Sequence, residues 1–175
     1  MRAHEVTFLD LVQGEKQFQV PLYQRPYSWT EPHWGRLWRD VLAQSEVIDD
    51  PRVRRHFIGS VVIAPSPTLQ PAGVQHWLVV DGQQRLTTLM LLLAAVRDHV
   101  GSLGDDSTAD RIHRQFLVNE FRDGTDKLRL LPTQADRASY RDLVLALCGL
   151  GAGRKHCRGV LVLPGRAGNC GRSRR

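Results

Sequence analysis

Thirteen residues, Asp81 to Leu93, read DGQQRLTTLMLLL and leave this stretch of chain little choice of local structure. They set a polar turn between an apolar run, His76-Trp77-Leu78-Val79-Val80, and a long apolar helix, which predicts strand, turn and helix in succession. Such a turn points free backbone N–H groups and the positive end of the helix dipole at one place, where an anion is stabilised. Arg85, one turn into the helix, supplies a bidentate phosphate contact. Gly82 lets the backbone approach, Thr87 and Thr88 offer hydroxyls, and Asp81 suits a Mg²⁺ ion or an oriented water. A plainer reading uses the same residues: Asp81 as helix N-cap, with Gln84 completing a capping box. The surplus favours the site, because a cap needs neither Gln83 nor an arginine followed by two threonines.

A second constellation is Tyr23-Gln24-Arg25-Pro26-Tyr27-Ser28-Trp29. Arg25, in a proline-fixed loop, is placed to reach the same anion as Arg85, with Gln24 beside it. The aromatics either stack on a base or sugar or pin the loop to the following helix, and pinning is the stronger reading for them. Pairing of Arg25 with an acid such as Asp40 is the structural alternative. Gly59-Ser60 interrupts a β-branched run, which marks a bulge or the close approach of a ligand or of another backbone, the Gly82 turn included. The seven histidines form no H-x-x-x-H pair with a carboxylate, so a protein-only metal site is not expected. There is no G-x-S-x-G or Cys/His nucleophile pattern either.

Together, DGQQRLTTL, VPLYQRPYSW (Val20 to Trp29) and HFIGSVVIA (His56 to Ala64) resemble the N-terminal domain of GmrSD-type restriction endonucleases, a branch of the ParB/sulfiredoxin-like fold. The resemblance runs from about Val6 to about Leu147, where KLRLLPTQADRASY also looks like a family segment. It implies binding and hydrolysis of a nucleoside triphosphate with Mg²⁺ at the DGQQR block, with YQRPYSW beside it. On that resemblance Asp81, Gln83, Gln84 and Arg85 are the catalytic candidates. Gln24, Arg25, Gly59, Ser60, Gly82, Thr87 and Thr88 are the nucleotide-binding ones, and Asp81 is the metal ligand. Whole members continue into a helical region and usually an HNH-type nuclease domain, which this chain does not show.

Charge adds less than the formal net value of +6 suggests. Seven Lys/Arg and no acid lie between Gly149 and Arg175; the remaining residues hold 17 basic against 18 acidic side chains, a net charge of −1. Bulk charge therefore gives no argument for DNA, although Arg52, Arg54, Arg55 and His56 form a local basic run. Residues 1–148 are expected to be one domain, incomplete at its C-terminal end. The Gly/Arg-rich 149–175 reads either as a disordered basic arm or as out-of-frame sequence, the second being preferred. Cys148, Cys157 and Cys170 match no zinc spacing and read as reduced cytoplasmic thiols. No signal peptide or membrane span is predicted, since the longest apolar run, Leu89 to Val96, falls well short of the roughly 20 residues a span needs.

Along the chain, Thr7 caps a short helix over Phe8 to Gln13, and Phe18, Val20 and Leu22 alternate as a strand that Pro21 keeps at an edge. Thr30 or Ser28 caps an amphipathic helix with the stripe Trp34, Leu37, Trp38, Val41, Leu42. Phe57 to Ala64 is expected as a buried strand paired with His76 to Val80, and Gln84 to about His99 as a helix lying under others. Thr108 to Glu120 and Gln134 to Leu147 read as helices, Lys127 to Leu131 as a short strand. The class is α+β, a small mixed sheet surrounded by helices.

The function expected is that of a nucleotide-binding, hydrolysing regulatory domain of a protein that restricts modified DNA. A non-enzymatic ParB-like switch module and an inert fragment are the alternatives. Deleting residues 149–175 is expected to leave the melting temperature unchanged while abolishing weak, steeply salt-dependent duplex binding by the seven-charge arm. Melting curves and duplex titrations at low and physiological salt, run on both chains, check this.

Overall fold

The computed structural model describes residues 4–47, 56–67 and 73–146. The 149–175 segment, the three cysteines and Arg52, Arg54 and Arg55 lie outside the described residues, as does most of the Pro65–Gly73 loop. Among the described residues, five α-helices and four strands form the α+β architecture. They are α1 (Phe8–Val12), β1 (Lys16–Gln19), α2 (Glu31–Glu46), β2 (Val62–Pro65), β3 (Gln75–Asp81), α3 (Gln83–Ser102), α4 (Asp106–Ile112), β4 (Leu130–Leu131) and α5 (Arg137–Leu145).

The sheet runs β2-β3-β1-β4 and is mixed: β1 lies parallel to both β3 and β4, whereas β2 is antiparallel to β3. Phe18 stands opposite Trp77 on one side and Leu130 on the other. β1 is thus interior, not the edge strand that Pro21 suggested. The strand stops at Gln19, before the proline, so no ladder bond is lost. Leu22, which the alternation assigned to the strand, is exposed. The expected strand Phe57 to Ala64 shrinks to β2. Phe57 is 79% exposed, and residues 56–61 run as irregular chain up to the register shift between Val62 and Ile63.

α3 packs its apolar side on the sheet, where Leu86, Met90 and Ala94 meet Val12, Phe18, Val79, Leu117, Leu130, Tyr140 and Val144 in one core. Its other sides carry α4 and α5, as the nearly continuous apolar sequence predicts. Thr7 caps α1 by accepting from the Asp10 amide at 3.2 Å, and Asp105 caps α4 by accepting from the Thr108 amide at 3.0 Å. The Thr108 to Glu120 helix is shorter than expected: α4 passes into a π-helical turn at His113–Leu117, after which Val118 bridges to Leu128. α2 is the outlier. It is capped at Thr30 as predicted, but none of its residues is buried; Trp38 is 52% and Leu42 45% exposed.

Among the described residues, two arginines sit in the interior. Arg97 of α3, 2% exposed, donates to the carbonyls of Val144 (2.5 Å), Ala146 (3.0 Å) and Leu143 (3.3 Å), the open carbonyl end of α5. Its remaining contacts are Asp98 and the His113 ring at 2.9 Å. Arg129 donates to Val118, Val12 and Arg114 carbonyls, and burial lowers its pKa.

His113 is buried, and its pKa lies below the ordinary 6.5, first because burial penalises the charged ring and then because Arg97 repels it. The folded state therefore binds this proton less readily than the unfolded chain. The stability that His113 contributes is complete above pH 6.5 and falls as the pH drops below it, while the unfolded imidazole protonates. His113→Gln is expected to flatten the melting-temperature profile between pH 6.5 and the onset of carboxylate titration near pH 5, as thermal melts across that range will show.

Candidate functional site

The turn between β3 and α3 is built on Gly82, whose φ of +84° lies in the left-handed region. A Cβ there would come within 2.9 Å of the Ser60 carbonyl oxygen and 3.1 Å of Val61 Cα, so the turn lies directly against the 60–61 backbone. Gly82, not Asp81, is the N-cap of α3, and the expected capping box does not form. Asp81 ends β3 with an exposed carboxylate that no hydrogen bond or ion pair occupies among the described residues. The first hydrogen bond closing α3 is Leu86 N to Gly82 O, 2.9 Å, so the amides of Gln83, Gln84 and Arg85 precede the ladder.

Both glutamines are buried and fasten the 24–28 loop to the start of α3. Gln84 brackets Tyr27: its Nε2 donates to Pro26 O at 3.1 Å and its Oε1 accepts from Ser28 N at 2.8 Å. Gln83 Nε2 donates to Arg25 O at 3.1 Å and to Gln24 Oε1 at 3.3 Å, while Gln24 Nε2 donates to Val80 O at 3.0 Å. One residue on, the Tyr27 hydroxyl joins Thr88 Oγ1 (2.7 Å) and Trp34 Nε1 (2.8 Å), tying α3 to α2. Thr88 also donates to Gln84 O at 2.8 Å.

Gly59 and Ser60 seat Arg85. Arg85 Nη1 donates to Ser60 O at 2.8 Å, and a Cβ at Gly59 would stand 2.5 Å from the guanidinium carbon. The Gly59-Ser60 pair thus accommodates both the Gly82 turn and a side chain; the bulge lies further on, at Val62/Ile63. Arg25 is exposed and unpaired among the described residues. Asp40, the acid named as its alternative partner, faces His56 instead, with Nε2 to Oδ2 at 3.7 Å.

Gln24, Arg25, Trp29, Asp81, Gly82, Gln83, Gln84 and Arg85 line one open cleft of about 220 Å³. Seven of these were legible in the sequence. Gly59 and Ser60 stand behind Arg85, outside the lining. Thr87 is buried within α3, and the Thr88 hydroxyl is committed to Gln84 and Tyr27, so neither reaches the cleft. Trp29, which stacks on His33 with ring centroids 5.7 Å apart, was assigned to loop pinning and lines the cleft as well. Asp136 was missed altogether: its carboxylate accepts from Tyr27 N at 2.8 Å across 109 positions of sequence, which no local pattern signals. Among the described residues no group of three or more His, Cys, Asp or Glu is gathered to hold a metal ion.

A family model described as GmrSD restriction endonuclease, N-terminal domain, matches residues 8–147. No curated protein matches the chain.

Substituting Gly59 with alanine sets the left-handed φ of +99° against a side chain and expels the Arg85 guanidinium. The expected loss is about 1–2 kcal/mol of stability, together with weaker anion binding in the cleft. Gly35→Ala is the control: this exposed residue of α2 has nothing within 4 Å of the new methyl, so a gain of about 0.5–1 kcal/mol is expected. Urea denaturation of both variants measures the two signs.

Proposed function

Because the chain belongs to the family of GmrSD restriction endonuclease N-terminal domains, and is thus a restriction-system protein, we propose that its cleft binds a nucleoside triphosphate with Mg²⁺ and hydrolyses it. On this reading the domain gates a nuclease activity directed at modified DNA and held elsewhere in the restriction system. The ParB-like relationship of the fold belongs to the same proposal.

What supports the reading is the convergence of two guanidinium groups, a free carboxylate and the open amides of a long helix on one small cleft. Its volume, below the roughly 300–1,000 Å³ of pockets that enclose a whole ligand, fits the phosphates and leaves the base at the rim beside Trp29. Asp81 is the carboxylate that would hold a Mg²⁺ ion brought in with the nucleotide. The ion's part is to neutralise phosphate charge. Arg25 and Arg85 bear on the phosphate oxygens, and Arg85 keeps two nitrogens available while its third rests on Ser60. The amides of Gln83 to Arg85 face the same charge along the helix dipole.

The attacking water requires an acceptor. Both polar atoms of Gln84 are engaged, by Pro26 and Ser28, whereas Gln83 Oε1 accepts no bond among the described residues, so Gln83 is the residue that orients the water. Gln84 acts by holding the loop that carries Arg25. The occupied state of Gln84 also suits a second reading, a binding module that changes conformation without hydrolysis.

Asp81→Ala and Arg85→Ala are each expected to lower nucleotide affinity or turnover by about tenfold or more, ~1.4 kcal/mol, with the melt still cooperative. Calorimetric titration and Mg²⁺-dependent phosphate release measure the two parameters separately. Tight binding without phosphate release establishes the switch module; unchanged affinity in both variants rejects the cleft.

A further inference from the structure

The segment KLRLLPTQADRASY stands apart from the cleft in sequence, yet it enters the site through one side chain. Asp136 occupies the N-cap position of α5 without capping it. Its Oδ2 instead accepts from Tyr27 N at 2.8 Å and from Thr133 Oγ1 at 2.5 Å, so the carboxylate is turned off its own helix and onto the 24–28 loop. An unsatisfied N-cap is ordinarily filled by such a residue, and here the loop takes precedence.

The loop's backbone explains why. Arg25 O and Pro26 O are taken by the amides of Gln83 and Gln84, Ser28 N by Gln84 Oε1, and Pro26 has no N–H to give. The Tyr27 amide lies among these bonds, between the Pro26 carbonyl and the Ser28 amide, and Asp136 supplies its acceptor. The peptide that carries Arg25 is therefore fixed from two directions, by α3 through the glutamines and by α5 through Asp136. α5 is itself tied to α3 at its far end, where Arg97 gathers the carbonyls of Leu143, Val144 and Ala146.

We propose that Asp136 is a positioning residue of the cleft: through the Tyr27 amide it sets where Arg25 stands relative to Asp81 and Arg85, and so links α5 to occupancy of the phosphate site. The proposal rests on the phosphate-binding reading above. Its geometric part, the control of Arg25 by Asp136, has its own readout.

Inorganic tripolyphosphate with Mg²⁺ serves as the probe, titrated calorimetrically into the full chain and its variants. Asp136→Ala is expected to weaken binding about tenfold, and Asp136→Asn, which keeps an oxygen for the Tyr27 amide, by less than about threefold. In an Arg25→Ala background, adding Asp136→Ala is expected to cost less than about twofold, because the two act through one group. Independent, additive losses overturn the proposal, as does an Asp136→Ala variant that binds like the wild type. Should Asp136→Ala fail to fold, Asp136→Glu, which displaces the carboxylate by one methylene, is expected to show the same coupling with Arg25. Without ligand, modification of Arg25 by phenylglyoxal, read by mass spectrometry, is expected to change in Asp136→Ala while modification of Arg111, on α4, does not. A wild-type chain that binds no tripolyphosphate rejects the phosphate reading; an unchanged Arg25 reactivity rejects the role of Asp136.

Discussion

A loop that leaves a sheet must still satisfy its backbone polar groups, and in this protein two buried amides meet that demand for the loop between β1 and α2. Gln83 and Gln84 project from the first turn of α3 and act as surrogate peptide groups, giving the 25–28 backbone the partners a neighbouring strand would have given. Everything characteristic of the cleft follows from that suture. The loop sits over the helix start, Arg25 is carried to the side where Asp81 and Arg85 emerge, and Tyr27 is held where its hydroxyl meets Thr88 and Trp34. An arginine-bearing loop held only by its own turn would leave that group spread over many positions, and the entropy of ordering it would fall on the ligand.

The same device recurs away from the cleft. The chain between α4 and β4 holds only short π- and 3-10-helical turns, and long polar side chains tie its carbonyls, and those of α1 and β1, to one another. Gln17, fully buried in β1, donates to Thr125 and Leu128; Asn119 donates to Lys16 and Asp126; Arg129 reaches Val118, Val12 and Arg114. Arg97 does likewise for the end of α5. A small four-stranded sheet with short outer strands provides few ladder partners, so long polar side chains replace them at the cost of burying charge.

Local pattern was a good guide wherever a local cause decides structure. The apolar run, polar turn and apolar helix around Asp81 to Leu93 gave β3 and α3, and Thr7 and Thr30 gave the starts of α1 and α2. Residues of the two motifs meet, since Asp81 to Arg85 and the Gln24-Arg25 pair line one cleft. The errors share a different origin. Asp81 has the composition of a cap, but the close approach of the Ser60 carbonyl requires glycine at the next position, and that glycine takes over the helix start. Pro21 marked an edge, yet the strand ends two residues earlier and lies in the interior. Asp136, Arg97 and Arg129 act on partners far along the chain, and no periodicity encodes them. Polar residues read as ligands in isolation, notably Gln84 and Thr88, turn out to be bonded to the protein itself.

α2 is sixteen residues long and buries none of its side chains. Elements with few buried contacts open at a lower free energy than the core they adjoin. The helix is therefore expected to open locally at a lower free energy than the sheet and α3. Trp34 anchors it to Tyr27, the residue whose amide and hydroxyl also connect the loop to α5 and α3. Local melting of α2 would release one of the three ties on that tyrosine, making the order of the cleft loop depend on a helix with no fully buried residue.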